Sequence, residues 1–167
     1  MNLAKKTALI LEVKNQRLVL AESCTGGHLA GILTAIPGIS KRFCGSQVSY
    51  REDSKSKWLG VSPQTLRKHS AVSGAVAEAM VRGVLKNTPE ATIAASITGY
   101  LGPTGKKVGL VYISILKRGS RNCVTVKIQI KPSGKLPPFQ SRLKNRAQAA
   151  KAVLLLLNSV LESDSQS

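Results

Sequence analysis

Apolar positions along this chain switch between a helical and a strand period, and the switches predict its elements. Over residues 2–15, Leu3, Ile10 and Leu11 share one helical face with Ala4, Thr7 and Ala8 beside them, while Lys5, Glu12 and Gln16 lie opposite and Leu9 and Val13 fall off that face. Residues 17–21 (RLVLA) are a short apolar run of the kind a buried strand makes. A helical pattern returns over 28–36 and stops at Pro37-Gly38. Residues 43–50 read as a strand, most clearly over 47–50. The polar stretch 51–57 opens a helix that runs into Trp58-Leu59, with Gly60 as its cap. Ser62-Pro63 starts another helix. Ser73 caps a longer one through Asn87, with Val76, Ala79, Met80, Gly83 and Val84 turned inward. Three strands follow, over 91–98, 108–116 and 122–130. In the last, Val124, Val126, Ile128 and Ile130 alternate with Thr125, Lys127 and Gln129, as on a half-exposed edge strand. A Pro-, Gly- and Lys-rich loop over 131–138 leads to a final helix over 140–161.

This order predicts an α/β domain with a mixed sheet, its parallel buried strands first and its antiparallel strands after. The 167 residues suit one domain, over 1–162, with 163–167 a disordered tail. Aromatics are only 4% of the chain, so aliphatic residues and Ala must fill the core. No apolar run approaches the ~20 residues that span a bilayer, and no membrane partner is expected. The first segment reads as a helix and not a cleaved leader, because Glu12, Lys14 and Gln16 interrupt it and no small-residue cleavage site follows. Three scattered cysteines and two histidines give no CxxC pair and no ligand spacing. The expectation is a reduced, cytoplasmic protein without metal or cofactor. The formal charge of +17, from 25 basic against 8 acidic residues, favours anionic partners. The cations are spread along the chain and no nucleic-acid signature accompanies them. Specific nucleic-acid binding is therefore not expected; small phosphorylated ligands and a merely basic surface are the readings left, and charge alone does not choose between them.

Three features carry chemistry. Glu22-Ser23-Cys24-Thr25-Gly26-Gly27 joins a buried strand to a helix, where small residues admit a ligand to the backbone and helix N–H groups attract an anion; the same residues also suit a tight turn. Thr98-Gly99-Tyr100-Leu101-Gly102-Pro103-Thr104-Gly105 follows another apolar strand and either shares that cleft or simply connects two strands. Ser40, Tyr50 and Lys55 form the third: a lysine that loses its charge through burial can take a proton from a hydroxyl, although most Ser and Lys residues lie on surfaces. Cys24, at a helix start, is a rival nucleophile.

Ala21-Glu22-Ser23-Cys24-Thr25-Gly26-Gly27, Pro37-Gly38-Ile39-Ser40, Ser49-Tyr50, Lys55, Leu59-Gly60-Val61, Ala71-Val72-Ser73, Thr98-Gly99, Gly102-Pro103 and Val108-Gly109 together resemble the CinA C-terminal domain family, over about residues 2–160. The resemblance implies a three-layer αβα sandwich, frequent oligomers, and in many members deamidation of nicotinamide mononucleotide to nicotinic acid mononucleotide and ammonia. It puts the family's serine nucleophile on Ser40, its lysine base on Lys55 and its tyrosine on Tyr50. Ser23, Thr25, Gly26, Gly27, Thr98 and Gly99 would shape the nucleotide site, and Arg142 would hold the phosphate, with Arg146 one turn on. The alternative is a non-catalytic relative that binds a nucleotide or a partner. The sequence departs from the family's pattern in its shorter rim loop with the bulky Tyr100, and in Phe139-Gln140-Ser141, where a glycine-aspartate often stands. The molybdopterin-binding-like N-terminal domain of longer members has no counterpart in this sequence.

Overall fold

The computed structural model describes residues 2–105, 107–132 and 136–163. The chain folds as α1 (Leu3–Val13), β1 (Leu18–Glu22), α2 (His28–Thr34), a single 3-10 turn (Ile39–Lys41), β2 (Phe43–Val48), α3 (Glu52–Leu59), α4 (Pro63–His69), α5 (Gly74–Asn87), β3 (Ile93–Gly99), β4 (Leu110–Lys117), β5 (Val124–Gln129) and α6 (Pro138–Ser163). The caps are those the residue types require. Asn2 accepts from the Ala4 N–H, Ser62 from Thr65 and Ser73 from Val76, and Gly60 ends α3 in the left-handed conformation.

The five strands lie in the order β2-β1-β3-β4-β5. β1 runs parallel to β2 and β3, while β3–β4 and β4–β5 are antiparallel. The expected division of the sheet into a parallel first half and an antiparallel second half is thus observed, with the alternating β5 at an edge. Side chains of successive strand residues point to opposite faces, and the two faces carry separate cores. Leu18 and Leu20 of β1 join Ile93, Ala95 and Ile97 of β3 beneath α1, α2 and α6. Val19 and Ala21, with Ala94, pack under α5 and the helices beside it. The result is an αβα sandwich.

The apolar stripe of α6 is turned inward: Ala150, Val153, Leu154 and Leu157 are buried in the first core. On α5, Ala77 and Val81 are fully buried, whereas Ala79, expected on the inner face, is only half-buried. Gly83 is where α5 meets α3. A Cβ there would stand 1.9 Å from the Leu59 carbonyl oxygen, so only glycine permits this approach. Arg118 ties the end of α5 to the sheet, its guanidinium donating to the carbonyls of Leu85, Thr88 and Ala91. Of the tail expected over 163–167, Ser163 is the last residue of α6, and 164–167 lie outside the described residues. No described helix is long and apolar enough to cross a membrane.

Candidate active site

Because β1, β2 and β3 are mutually parallel in direction, their carboxyl ends meet at one end of the sheet, where open α/β folds bind ligands. The alternation of β1 then decides what each residue faces. Glu22 has the parity of Leu18 and Leu20 and turns toward α2; Ser23, one residue on, turns toward α3 and α5. A register slip of one residue would exchange the two.

Glu22 is fully buried. One carboxylate oxygen accepts from the N–H groups of Gly27 and Leu29, both at 3.1 Å; the other accepts from the Ala30 N–H at 2.9 Å and the Ser46 hydroxyl at 3.1 Å. The start of α2 is therefore occupied from within. This corrects the expectation that its N–H groups await a ligand anion: the chain supplies its own carboxylate there. Thr25, Gly26 and Gly27, expected to shape the nucleotide site, build this turn. Gly26 and Gly27 adopt φ of 57° and 87°, Gly27 donates to Glu22, and the Thr25 carbonyl accepts from Arg146 Nε at 3.0 Å.

On the other face a cleft of about 660 Å³ opens, lined by Ser23, Lys55, Tyr50, Thr98, Gly99 and Arg142 among others. Lys55 reaches it from the second turn of α3 and is only 2% exposed. Its Nζ lies 2.9 Å from Ser23 Oγ and donates to the Ser49 carbonyl at 2.8 Å. Burial, the largest influence, holds the amine below its ordinary value of 10.5, against weaker opposing contributions from Cys24 and Glu52. A nearby hydroxyl and a lysine with a reduced hold on its proton are the two parts that a nucleophile–base pair requires.

The pairing of Lys55 with Ser40 does not form. Ser40 is exposed in the 3-10 turn and lines a separate, mostly apolar groove with Ile36, Pro37, Ile39 and Phe43. Two neighbouring strand ends bring Ser23 to Lys55 across 32 residues of sequence, whereas Ser40 precedes β2 and sits at the other end of that strand. The missed signal was the parity of β1 and its continuation into Ser23. Cys24, the rival nucleophile, is buried, and desolvation pushes its thiol up to about 12, which leaves it protonated and inert near neutrality.

Tyr50 lies on the cleft wall, 58% exposed as a residue, and its hydroxyl accepts from Arg142 Nη2 at 2.6 Å. Thr98, on the same sheet face as Ser23, is buried and donates to the Ala71 carbonyl at 2.8 Å, fixing the far wall. The rim loop after Gly99 is anchored at Leu101, whose carbonyl accepts from Asn145 Nδ2 of α6. Tyr100, at the start of this loop, lines the cleft.

Comparison with known proteins agrees with this architecture. A CinA-like protein from Cyanothece sp. is 48% identical over 118 residues, covering 68% of this chain and 28% of that protein. One from Gloeobacter violaceus is 41% identical over 130 residues, 75% of this chain and 30% of its own length. The chain thus spans less than a third of these curated relatives. Among solved structures, a competence-damaged protein (CinA) superfamily protein from Klebsiella pneumoniae superposes with a TM-score of 0.87 at 30% identity, covering 96% of both chains. Competence/damage inducible protein CihA from Agrobacterium tumefaciens gives 0.79 at 33% identity, with 93% of both covered. The family described as the CinA C-terminal domain matches residues 1–161, and this chain belongs to it.

Proposed function

We propose that this domain is a metal-independent amidohydrolase that deamidates nicotinamide mononucleotide, with Ser23 as nucleophile and Lys55 as base. The observation that carries the reading is the buried 2.9 Å contact between Lys55 Nζ and Ser23 Oγ on the wall of an open cleft. In the neutral form of the amine, the hydrogen of that contact runs from the hydroxyl to Nζ. Ser23 Oγ attacks the carboxamide carbon as its proton passes to Lys55. The tetrahedral intermediate needs N–H donors around its oxygen; with the Gly26 and Gly27 N–H groups taken by the Ser23 carbonyl and Glu22, those of Cys24 and Thr25 would serve. The intermediate collapses as the Lys55 ammonium returns the proton to the leaving nitrogen, which departs as ammonia. Water then gives a proton to Lys55 and attacks the acyl ester; the ester bond breaks as the Lys55 ammonium returns that proton to Ser23 Oγ, and the acid leaves. The Ser49 carbonyl holds Nζ in place through both half-reactions. Arg142, steadied by the Tyr50 hydroxyl, binds the phosphate, and Thr98 and Gly99 form the wall opposite.

The test is ammonia release from nicotinamide mononucleotide by the full chain. Ser23→Ala and Lys55→Ala are expected to lose about 10³-fold or more in kcat, while Ser40→Ala keeps wild-type turnover. Turnover surviving in Ser23→Ala, or no ammonia from the wild type, overturns the assignment.

A further inference from the structure

The sheet has two edges, and they are built differently. β5 carries Lys127, exposed in the middle of the strand, as edges that resist pairing do. β2 has no charged residue and no proline along its length. Among the described residues no strand pairs with its outer side. The Ser49 N–H points inward and donates to the Glu22 carbonyl at 2.8 Å. Peptide groups alternate in direction along a strand, so those of Val48 and Ser46 point outward, away from β1.

The face around this edge is also nearly free of charge. Of 25 basic and 8 acidic residues, only Lys41 and Arg42 fall within residues 23–50. Arg42 is already engaged, its Nε 2.6 Å from Glu12 Oε2. Beside the strand, Thr34, Ile36, Pro37, Ile39, Phe43 and Gly45 line a mostly apolar groove of about 490 Å³. A molecule of net charge +17 repels its own copies, and that repulsion is weakest where charge is absent. An acidic partner would be drawn to the basic surface elsewhere. A bare, uncharged strand edge beside an apolar groove suits a partner of the same sign.

We infer that β2 is the seam of a two-fold homodimer, in which the β2 strands of two copies pair antiparallel and join their sheets into one. The two-fold axis offers the same strand twice, so the outward N–H and C=O groups around Ser46 and Val48 meet complementary groups of the partner. The groove beside the strand takes apolar side chains from across the seam. β2 leads directly into Ser49 and Tyr50, so the pairing also steadies one wall of the cleft.

Sedimentation equilibrium of the full chain, with amide hydrogen exchange alongside, tests this. The wild type is expected to reach twice the chain mass, and its association to tighten as salt screens the repulsion between copies. The Ser46 and Val48 N–H groups should exchange slowly in the dimer and faster on dilution, a readout that needs no variant. Val48→Lys puts a cation on the seam and Thr34→Lys puts one in the groove. Each is expected to raise the dissociation constant about tenfold or more, while Val124→Lys on the β5 edge changes it little. A wild type that stays a single chain at every concentration and salt overturns the inference. So does a dimer that withstands both substitutions, or one that only Val124→Lys breaks. Protection of Ser46 and Val48 that appears only with a different protein present gives the edge to a foreign segment and overturns it equally.

Discussion

At the scale of single residues, the proposed reaction turns on the fate of one proton on Lys55. Because burial lowers its hold on that proton, the neutral base becomes available below pH 10.5. We expect kcat/KM to rise with pH through the lowered value and then level, a limb absent in Lys55→Ala. The same shift is a stability statement. Between the lowered value and 10.5 the unfolded chain binds more protons than the folded one, so stability increases with pH across that window. Urea unfolding followed in steps up to pH 10.5 should show this component as a rise that ends there, at most about 1.4 kcal/mol per pH unit. Lys55→Met should lose it, and an identical pH slope in that variant would sink the account. The sequence showed Lys55 as a chemical candidate but not its partner. The resemblance points to Ser40, whereas the neighbour of Lys55 is set by two strands lying side by side, a long-range fact that no window of sequence contains.

At the scale of elements, most of the chain was legible because its caps and periods agree. Asn2, Ser62, Ser73 and Gly60 each stand where their chemistry ends or starts a helix, and the alternation of 124–130 marked an edge strand correctly. The filling of the α2 terminus was not legible, because a buried carboxylate and a vacant anion site look alike as Glu-Ser-Cys-Thr-Gly-Gly. Glu22→Ala would leave three N–H groups and the Ser46 hydroxyl without that partner. We expect a loss of about 3 kcal/mol or more in urea unfolding, with a fall in kcat as the Ser23 turn loosens. At the α3–α5 crossing, Gly83→Ala would force the two helices apart, costing about 1–3 kcal/mol. Since Lys55 rides on α3, turnover should drop as well; full activity in a folded Gly83→Ala protein would show that the crossing does not set the lysine's position.

At the scale of the whole molecule, the order of strand and helix signals was enough to place parallel strands before antiparallel ones, since each parallel crossover needs a helix and the late strands have none between them. The net charge was legible too, but its arrangement around the cleft required the fold. A field from +17 should speed the arrival of a phosphorylated ligand, so kcat/KM is expected to fall several-fold as salt rises from about 0.02 to 0.3 M, with kcat little changed. A flat salt profile would show that long-range attraction contributes nothing. The two ends of the sheet differ in what they carry. β4 and β5 reverse at the turn around Gly119–Ser120, at the end away from the carboxyl termini of β1 and β3. Function and connectivity are thus segregated, and that remote hairpin tip offers a graft point. A peptide tag or reporter domain spliced between Gly119 and Ser120, leaving Arg118 to clasp α5, would travel with the domain without touching the cleft.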